Sequence, residues 1–160
     1  MNIQWLLNLH PATVHFPIGF LILASSAGVL CLYWKPTPTL VTLTWWPMLI
    51  GWISCVVAVL SGLLAQSNLP PDAPYWQLLN SHVTTGLAIL IAYSVPLYLR
   101  WTGKDRRGND APHGDPLVSG PRLSTMLWLT VCLVGGAVLV LVTGWSGGEL
   151  VYEWAVNVAK

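Results

Sequence analysis

Charged side chains are scarce in this sequence. Asp, Glu, Lys and Arg make up 8% of its 160 residues, whereas a typical soluble domain has about 25%. The net charge of +1 leaves no extended basic surface, so nucleic acid is not expected as a partner. With 54% hydrophobic residues, the chain is predicted to lie within a lipid bilayer.

Cysteine is also rare, and its spacing carries no functional motif. No CxxC or CxxCH pattern is present, which argues against a zinc knuckle, a disulfide framework and covalent haem attachment. Phosphate-binding loops, dinucleotide fingerprints and Ser-His-Asp patterns are absent as well, so we expect no independent catalytic activity. The cysteines are expected to be small core residues: Cys31, Cys55 and Cys132.

Four long apolar stretches dominate the rest of the sequence. Each is long enough to cross about 30 Å of hydrocarbon as a helix, and their unbroken apolar runs are not typical of strands. The N-terminus lacks the basic residues and cleavage site of a signal peptide, so the first stretch is expected to remain as a span. The prediction is one all-α, four-helix membrane bundle over residues 1–160, with spans at about 14–34, 43–65, 82–101 and 124–145.

The positive charges predict an orientation for these spans. Six of the seven Lys and Arg residues lie in or beside the connections between spans one and two and spans three and four. The positive-inside rule places both connections, including a loop at about 102–122, in the cytoplasm. We therefore expect an up-down-up-down bundle with both termini on the outer side of the membrane, which is the periplasmic side in a Gram-negative cell.

Histidine is the most informative polar residue of the predicted bundle. His15 opens span one and His82 opens span three, so both are expected near the outer face. His10 lies shortly before His15, whereas His113 falls in the cytoplasmic loop, away from this cluster. The two histidines at the starts of spans one and three are also the only hint of an internal repeat.

Two neutral imidazoles at equal depth on facing helices are suitable axial ligands for haem b. Gly19 and Gly86 each lie four residues after a histidine, on nearly the same helix face, and leave room for a macrocycle. The leading hypothesis is a small b-type cytochrome with His15 and His82 as axial ligands and His10 near a propionate. It would exchange electrons with a periplasmic carrier or a larger complex. The sequence does not decide between His10 and His15 as a ligand.

Other hypotheses remain open at this point. His10, His15 and His82, with Glu149, could bind a non-haem metal, or the histidines could be structural residues at a helix interface. Glu149 follows two glycines that allow a tight turn after span four, and it could orient an imidazole or be a solvated interfacial charge. The chain could also be a non-catalytic accessory subunit of a larger respiratory or photosynthetic complex.

One string near the N-terminus is distinctive, namely LHPATVHFPI at residues 9–18. Together with SG at 61–62, His82 and GGELVY at 147–152, it resembles the bacterial membrane family known as domain of unknown function 2231. The resemblance covers nearly the whole chain and implies a four-span inner-membrane protein. It marks as signature residues His10, Pro11, His15, Phe16 and Pro17, with His82 as their partner.

After Tyr152 the chain departs from the pattern of the family. Family members tend to continue with a His-Gly stretch, whereas this chain has Glu153-Trp154-Ala155. No role for a C-terminal histidine is therefore expected here.

Overall fold

The computed structural model describes residues 10, 13–67, 69–103, 115, 117 and 123–156. Over these residues the chain is helical and contains no strand. Its four helices are α1 (His15–Tyr33), α2 (Pro38–Gln66), α3 (Trp76–Gly103) and α4 (Leu123–Tyr152). All four have the length and apolar composition needed to cross a membrane, which confirms the prediction of an all-α chain with four helices able to span a bilayer.

The last three helices extend beyond the predicted spans. The predicted spans ended where the apolar runs ended, but polar residues at the membrane boundary do not stop a helix. The clearest difference is at Gly147 and Gly148, where a turn was expected and α4 instead continues to Tyr152. Gly147 serves packing, because a Cβ atom there would lie 2.9 Å from a ring carbon of His82.

Recognisable capping residues set two of the helix ends. Thr37 has an extended backbone, and its side chain accepts a hydrogen bond from the Leu40 backbone N–H at 3.2 Å, while Pro38 occupies the first turn of α2. Beyond α4, Ala155 adopts a positive φ of 49°. The Val156 N–H then donates to the Leu150 carbonyl at 3.0 Å, which closes the end of the helix around this left-handed residue.

Each helix packs against two neighbours. Helix α1 contacts α2 and α4, and α3 contacts the same two helices, so α1 and α3 face each other across a diagonal. The interior is built from large apolar side chains and contains all three cysteines, unbonded and buried as predicted. Among its fully buried residues are Leu21, Met48, Tyr93, Leu129 and Leu133.

Candidate functional site

A half-buried imidazole lies just before α1. The Val14 backbone N–H donates to the His10 carbonyl at 3.2 Å, which joins His10 to the start of the helix. Its Nδ1 lies 2.9 Å from the Ala58 carbonyl oxygen and 3.1 Å from Ser61 Oγ, both on α2. Gly62 provides the space for the ring, because a Cβ there would lie 3.0 Å from His10 Cε1.

A second imidazole, on α3, has the same surroundings. His82 Nδ1 lies 3.1 Å from the Thr143 carbonyl oxygen and 3.1 Å from Ser146 Oγ, both on α4. Gly147 follows Ser146 and provides the space beside His82 Cε1. The histidine comes from one helix of a pair, and the carbonyl, serine and glycine come from the other.

These two histidine sites are related by an internal repeat of the structure. In both, the carbonyl belongs to the residue three positions before the serine, and the glycine follows the serine directly. The α1–α2 and α3–α4 pairs therefore contribute equivalent units. The sequence signal for the repeat is the Ser-Gly dipeptide, which occurs near the ends of α2 and α4 at 61–62 and 146–147.

The hydrogen bonds determine the tautomer of both rings. A carbonyl oxygen only accepts, so the Nδ1 atoms that lie against Ala58 and Thr143 must carry the proton. Each serine hydroxyl donates to the same carbonyl, at 2.9 Å for Ser61 and 3.1 Å for Ser146. The Nε2 atom of each neutral ring therefore keeps its lone pair.

The His10 and His82 imidazoles interact electrostatically. His10 and His82 lie close enough for a charge on one to act on the other. Burial lowers the pKa of His10 below its ordinary value of 6.5, and the hydrogen bond to Ala58 opposes this effect only in part. His10 is therefore neutral at pH 7 and can act as a lone-pair donor.

The other residues predicted for the site do not share the surroundings of His10 and His82. His15 is exposed in the first turn of α1. Gly19 is exposed with open space beside it, whereas Gly86 is buried and a Cβ there would lie 3.6 Å from Val59 Cγ2. Glu149 is half-buried in α4, but carbonyl and serine oxygens occupy the Nδ1 positions where its carboxylate could have oriented a ring.

Among the residues that the structure describes, no set of three potential metal ligands comes together. Within the described ranges, His, Cys, Asp and Glu side chains form no group of three or more that could bind a metal ion. The expected grouping of His10, His15 and His82 for a non-haem metal is therefore not formed. Pro11 and His113 lie outside the described residues.

A second polar cluster, which the sequence did not reveal, lies between the N-terminal part of α2 and the C-terminal part of α3. Trp45 Nε1 donates to Asp115 Oδ2 at 2.8 Å, and the guanidinium of Arg100 lies 4.5 Å from the centre of the Trp45 ring. Arg100 Nη1 lies 3.8 Å from Asp115 Oδ2. The Leu117 N–H donates to Asp115 Oδ1, and Leu117 is buried in the core. This cluster fastens part of the α3–α4 connection to the bundle.

The fold and the paired imidazoles define a class of protein, a small four-helix membrane protein with one histidine held by each helix pair. The chain belongs to the family described as predicted membrane protein (DUF2231), whose family model matches residues 6–160. This confirms the resemblance drawn from the N-terminal motif. No curated protein and no solved structure matches the chain.

Proposed function

We propose that the protein is a small b-type cytochrome-like membrane protein that binds haem between α1 and α3 and transfers electrons. His10 and His82 would hold the haem, which would supply one-electron redox chemistry. The observation that carries the proposal is the pair of neutral imidazoles on diagonal sides of the bundle, each with a protonated Nδ1 and a free lone pair on Nε2. Histidines that bind metals usually donate their other ring N–H to a carbonyl or carboxylate, as both rings do here.

His10 is preferred over His15 because of its equivalence to His82. Both rings contact a carbonyl, a serine and a glycine of a neighbouring helix, whereas His15 is exposed at the start of α1. An axial ligand is held in place by a hydrogen bond to its second nitrogen. His10 meets this requirement.

The unpartnered hydroxyl of Thr143, whose backbone carbonyl contacts His82, also supports a bound group. Thr143 Oγ1 is buried and has no hydrogen-bond partner among the described residues. Other helix threonines, for example Thr44 and Thr130, donate to a backbone carbonyl four residues earlier. Leaving a buried hydroxyl unpaired costs about 1–3 kcal/mol, and a polar group bound next to Thr143 would remove that cost.

We place the histidines at the outer face of a bacterial inner membrane. His10, just before α1, contacts the C-terminal part of α2, and His82, near the start of α3, contacts the C-terminal part of α4. Contacts between the start of one helix and the end of the next are those expected in an up-down-up-down bundle. The Lys and Arg residues concentrate in the other connections, which favours a cytoplasmic location for those and a periplasmic one for both termini. A periplasmic electron carrier or a larger membrane complex would be the redox partner.

In this proposal the protein provides ligands and a low-dielectric setting, and haem provides a one-electron redox centre when bound. His10 and His82 would coordinate through Nε2. The apolar side chains of the bundle interior would restrict access of water.

The absorbance spectrum of the purified full-length protein, expressed with haem available, tests the proposal. We expect a Soret band and extractable haem in the wild type, loss of both in His10→Ala and His82→Ala, and retention in His15→Ala. A wild type without haem would overturn the proposed function. Loss in His15→Ala with retention in His10→Ala would overturn the ligand assignment in favour of the pair first expected from the sequence.

The same preparation separates the alternative functions. An accessory subunit would co-purify with a larger complex without haem, and replacing His10 and His82 together would leave that assembly intact. A protein that binds a non-haem metal would show the metal by elemental analysis and no Soret band. Either result contradicts the cytochrome proposal.

A further inference from the structure

Two serine hydroxyls lie at equivalent positions beside the histidines. Ser61 Oγ is 3.1 Å from His10 Nδ1, and Ser146 Oγ is 3.1 Å from His82 Nδ1. Each belongs to the helix that faces its histidine. The equivalent placement in both helix pairs indicates that the hydroxyl serves the ring and is not an incidental polar residue.

The proton positions show what the hydroxyl contributes. Each serine gives its own proton to the carbonyl of the residue three positions earlier, so its oxygen is left as an acceptor facing the histidine. The Nδ1–H is therefore shared between a carbonyl oxygen and a hydroxyl oxygen. Two acceptors on different atoms define the plane of the ring better than one, and both oppose a shift of the proton to Nε2.

Gly62 and Gly147 allow each imidazole to pack against the neighbouring helix. A Cβ atom at Gly62 or Gly147 would lie within about 3 Å of a ring carbon, so the imidazole lies directly against the helix backbone. A ring that packs there, with its Nδ1–H held by two acceptors, has little freedom to rotate about its Cβ–Cγ bond.

We infer that Ser61 and Ser146 are positioning residues that hold His10 and His82 in the Nδ1–H tautomer, which leaves the lone pair of each Nε2 available to hold haem. The haem part of this inference rests on the proposed function. The tautomer part does not, and it can be measured in the protein without haem. Because the two units are equivalent, the two serines are expected to have effects of similar size.

The first experiment is ¹⁵N NMR of the full-length protein in detergent micelles, labelled at histidine and free of haem. The wild type is expected to show the Nδ1–H tautomer for both His10 and His82, assigned with the single His→Gln variants. Ser61→Ala should increase tautomer or rotamer averaging at His10 alone, and Ser146→Ala at His82 alone. An Nε2–H tautomer in the wild type, or unchanged signals in both variants, would overturn the inference.

The second experiment measures haem affinity and midpoint potential in the same variants. Each Ser→Ala change should weaken haem binding roughly 10-fold to 100-fold and shift the midpoint potential to more positive values, because a weaker acceptor at Nδ1 makes Nε2 a poorer donor. Ser→Thr retains the hydroxyl and should restore both properties. Failure of Ser→Thr to restore what Ser→Ala removes would show that only packing is involved.

The matched control is Ser54→Ala. Ser54 lies on α2 and its hydroxyl donates to the Ile50 carbonyl, away from either imidazole, so the tautomers, affinity and potential should not change. A wild type that shows the expected tautomers and binds no haem would overturn the proposed function but leave the role of the serines intact.

Discussion

Ser25 Oγ and Tyr93 Oη form a 2.7 Å hydrogen bond inside the bundle and join α1 to α3 across its diagonal. These helices have no direct backbone contact, so the tyrosine spans the space between them. Tyr93 is fully buried, and Gly136 on α4 accommodates its ring, because a Cβ there would lie 2.8 Å from Tyr93 Cζ. The bond fixes the separation of the two helices that carry or follow the proposed ligands.

Removing this hydrogen bond should destabilise the bundle moderately. Tyr93→Phe and Ser25→Ala are each expected to lower the free energy of unfolding by about 1 kcal/mol, with a coupling energy of about 0.6 kcal/mol, which is the average for hydrogen bonds between membrane helices. A double-mutant cycle from SDS-titration unfolding in mixed micelles provides the measurement. Additive effects of the two changes would contradict the cross-link.

Ser26→Ala is the matched control for this cycle. Ser26 is the next residue on α1, but it is exposed and its hydroxyl donates to the Ile22 carbonyl of its own helix. Its replacement should change the free energy of unfolding by less than about 0.5 kcal/mol.

The four helices and the family membership could be predicted from the sequence, because long apolar runs and an unusual N-terminal motif are local signals. The partners of His10 could not be predicted. Ser61 lies 51 positions further on, and no local pattern shows which helix face will meet the histidine. The sequence favours His15 as a haem ligand because it opens the first apolar span. The position of a residue at the start of a span does not determine whether its side chain is buried or exposed.

The second polar cluster, formed by Trp45, Arg100 and Asp115, could not be predicted from the sequence either. Its partners Trp45 and Arg100 come from two different helices, and Asp115 itself lies in a segment that was predicted only as a hydrophilic loop. A tryptophan near a membrane boundary is usually an interfacial anchor. The buried setting of Trp45 against a carboxylate and a guanidinium depends on tertiary packing, so composition alone does not indicate it.

The glycines beside the imidazoles should tolerate no side chain. Gly62→Ala and Gly147→Ala would place a Cβ 3.0 Å and 2.9 Å from a ring carbon, so the histidine must move. We expect at least about a 10-fold loss of haem affinity and a decrease of about 1–3 kcal/mol in the free energy of unfolding from overpacking. Haem titration and SDS-titration unfolding measure the two effects.

Gly135→Ala is the control for the glycine variants. No atom lies within 4 Å of a Cβ at this exposed position of α4, so alanine should leave haem binding unchanged. Its higher helix propensity should stabilise the protein by up to about 1 kcal/mol. Equal losses of haem affinity in all three variants would show that close packing at Gly62 and Gly147 is not the cause.

The positive φ of Ala155 predicts a stabilising substitution. Left-handed backbone costs an L-residue roughly 1 kcal/mol, and glycine avoids this cost at the position after a helix. Ala155→Gly should therefore raise the free energy of unfolding by about 0.5–1 kcal/mol. This value includes the opposing effect that glycine makes the unfolded chain more flexible. Ala137→Gly, in the middle of α4, should instead lower it by about 1 kcal/mol. Destabilisation in both variants would contradict the left-handed conformation of Ala155.

The buried setting of His10 predicts a loss of stability in acid. Burial lowers the pKa of His10 from 6.5 in the native protein, so the unfolded chain binds a proton more readily at this residue. The contribution of neutral His10 is present above pH 6.5 and is lost as the pH falls through the native-state pKa. His10→Gln has no titrating ring, so its free energy of unfolding should decrease less than that of the wild type between pH 7 and pH 5. Ser54→Ala, a change on α2 that removes no titrating group, should keep the wild-type slope, and a His10→Gln slope equal to that of the wild type would contradict a buried, neutral His10.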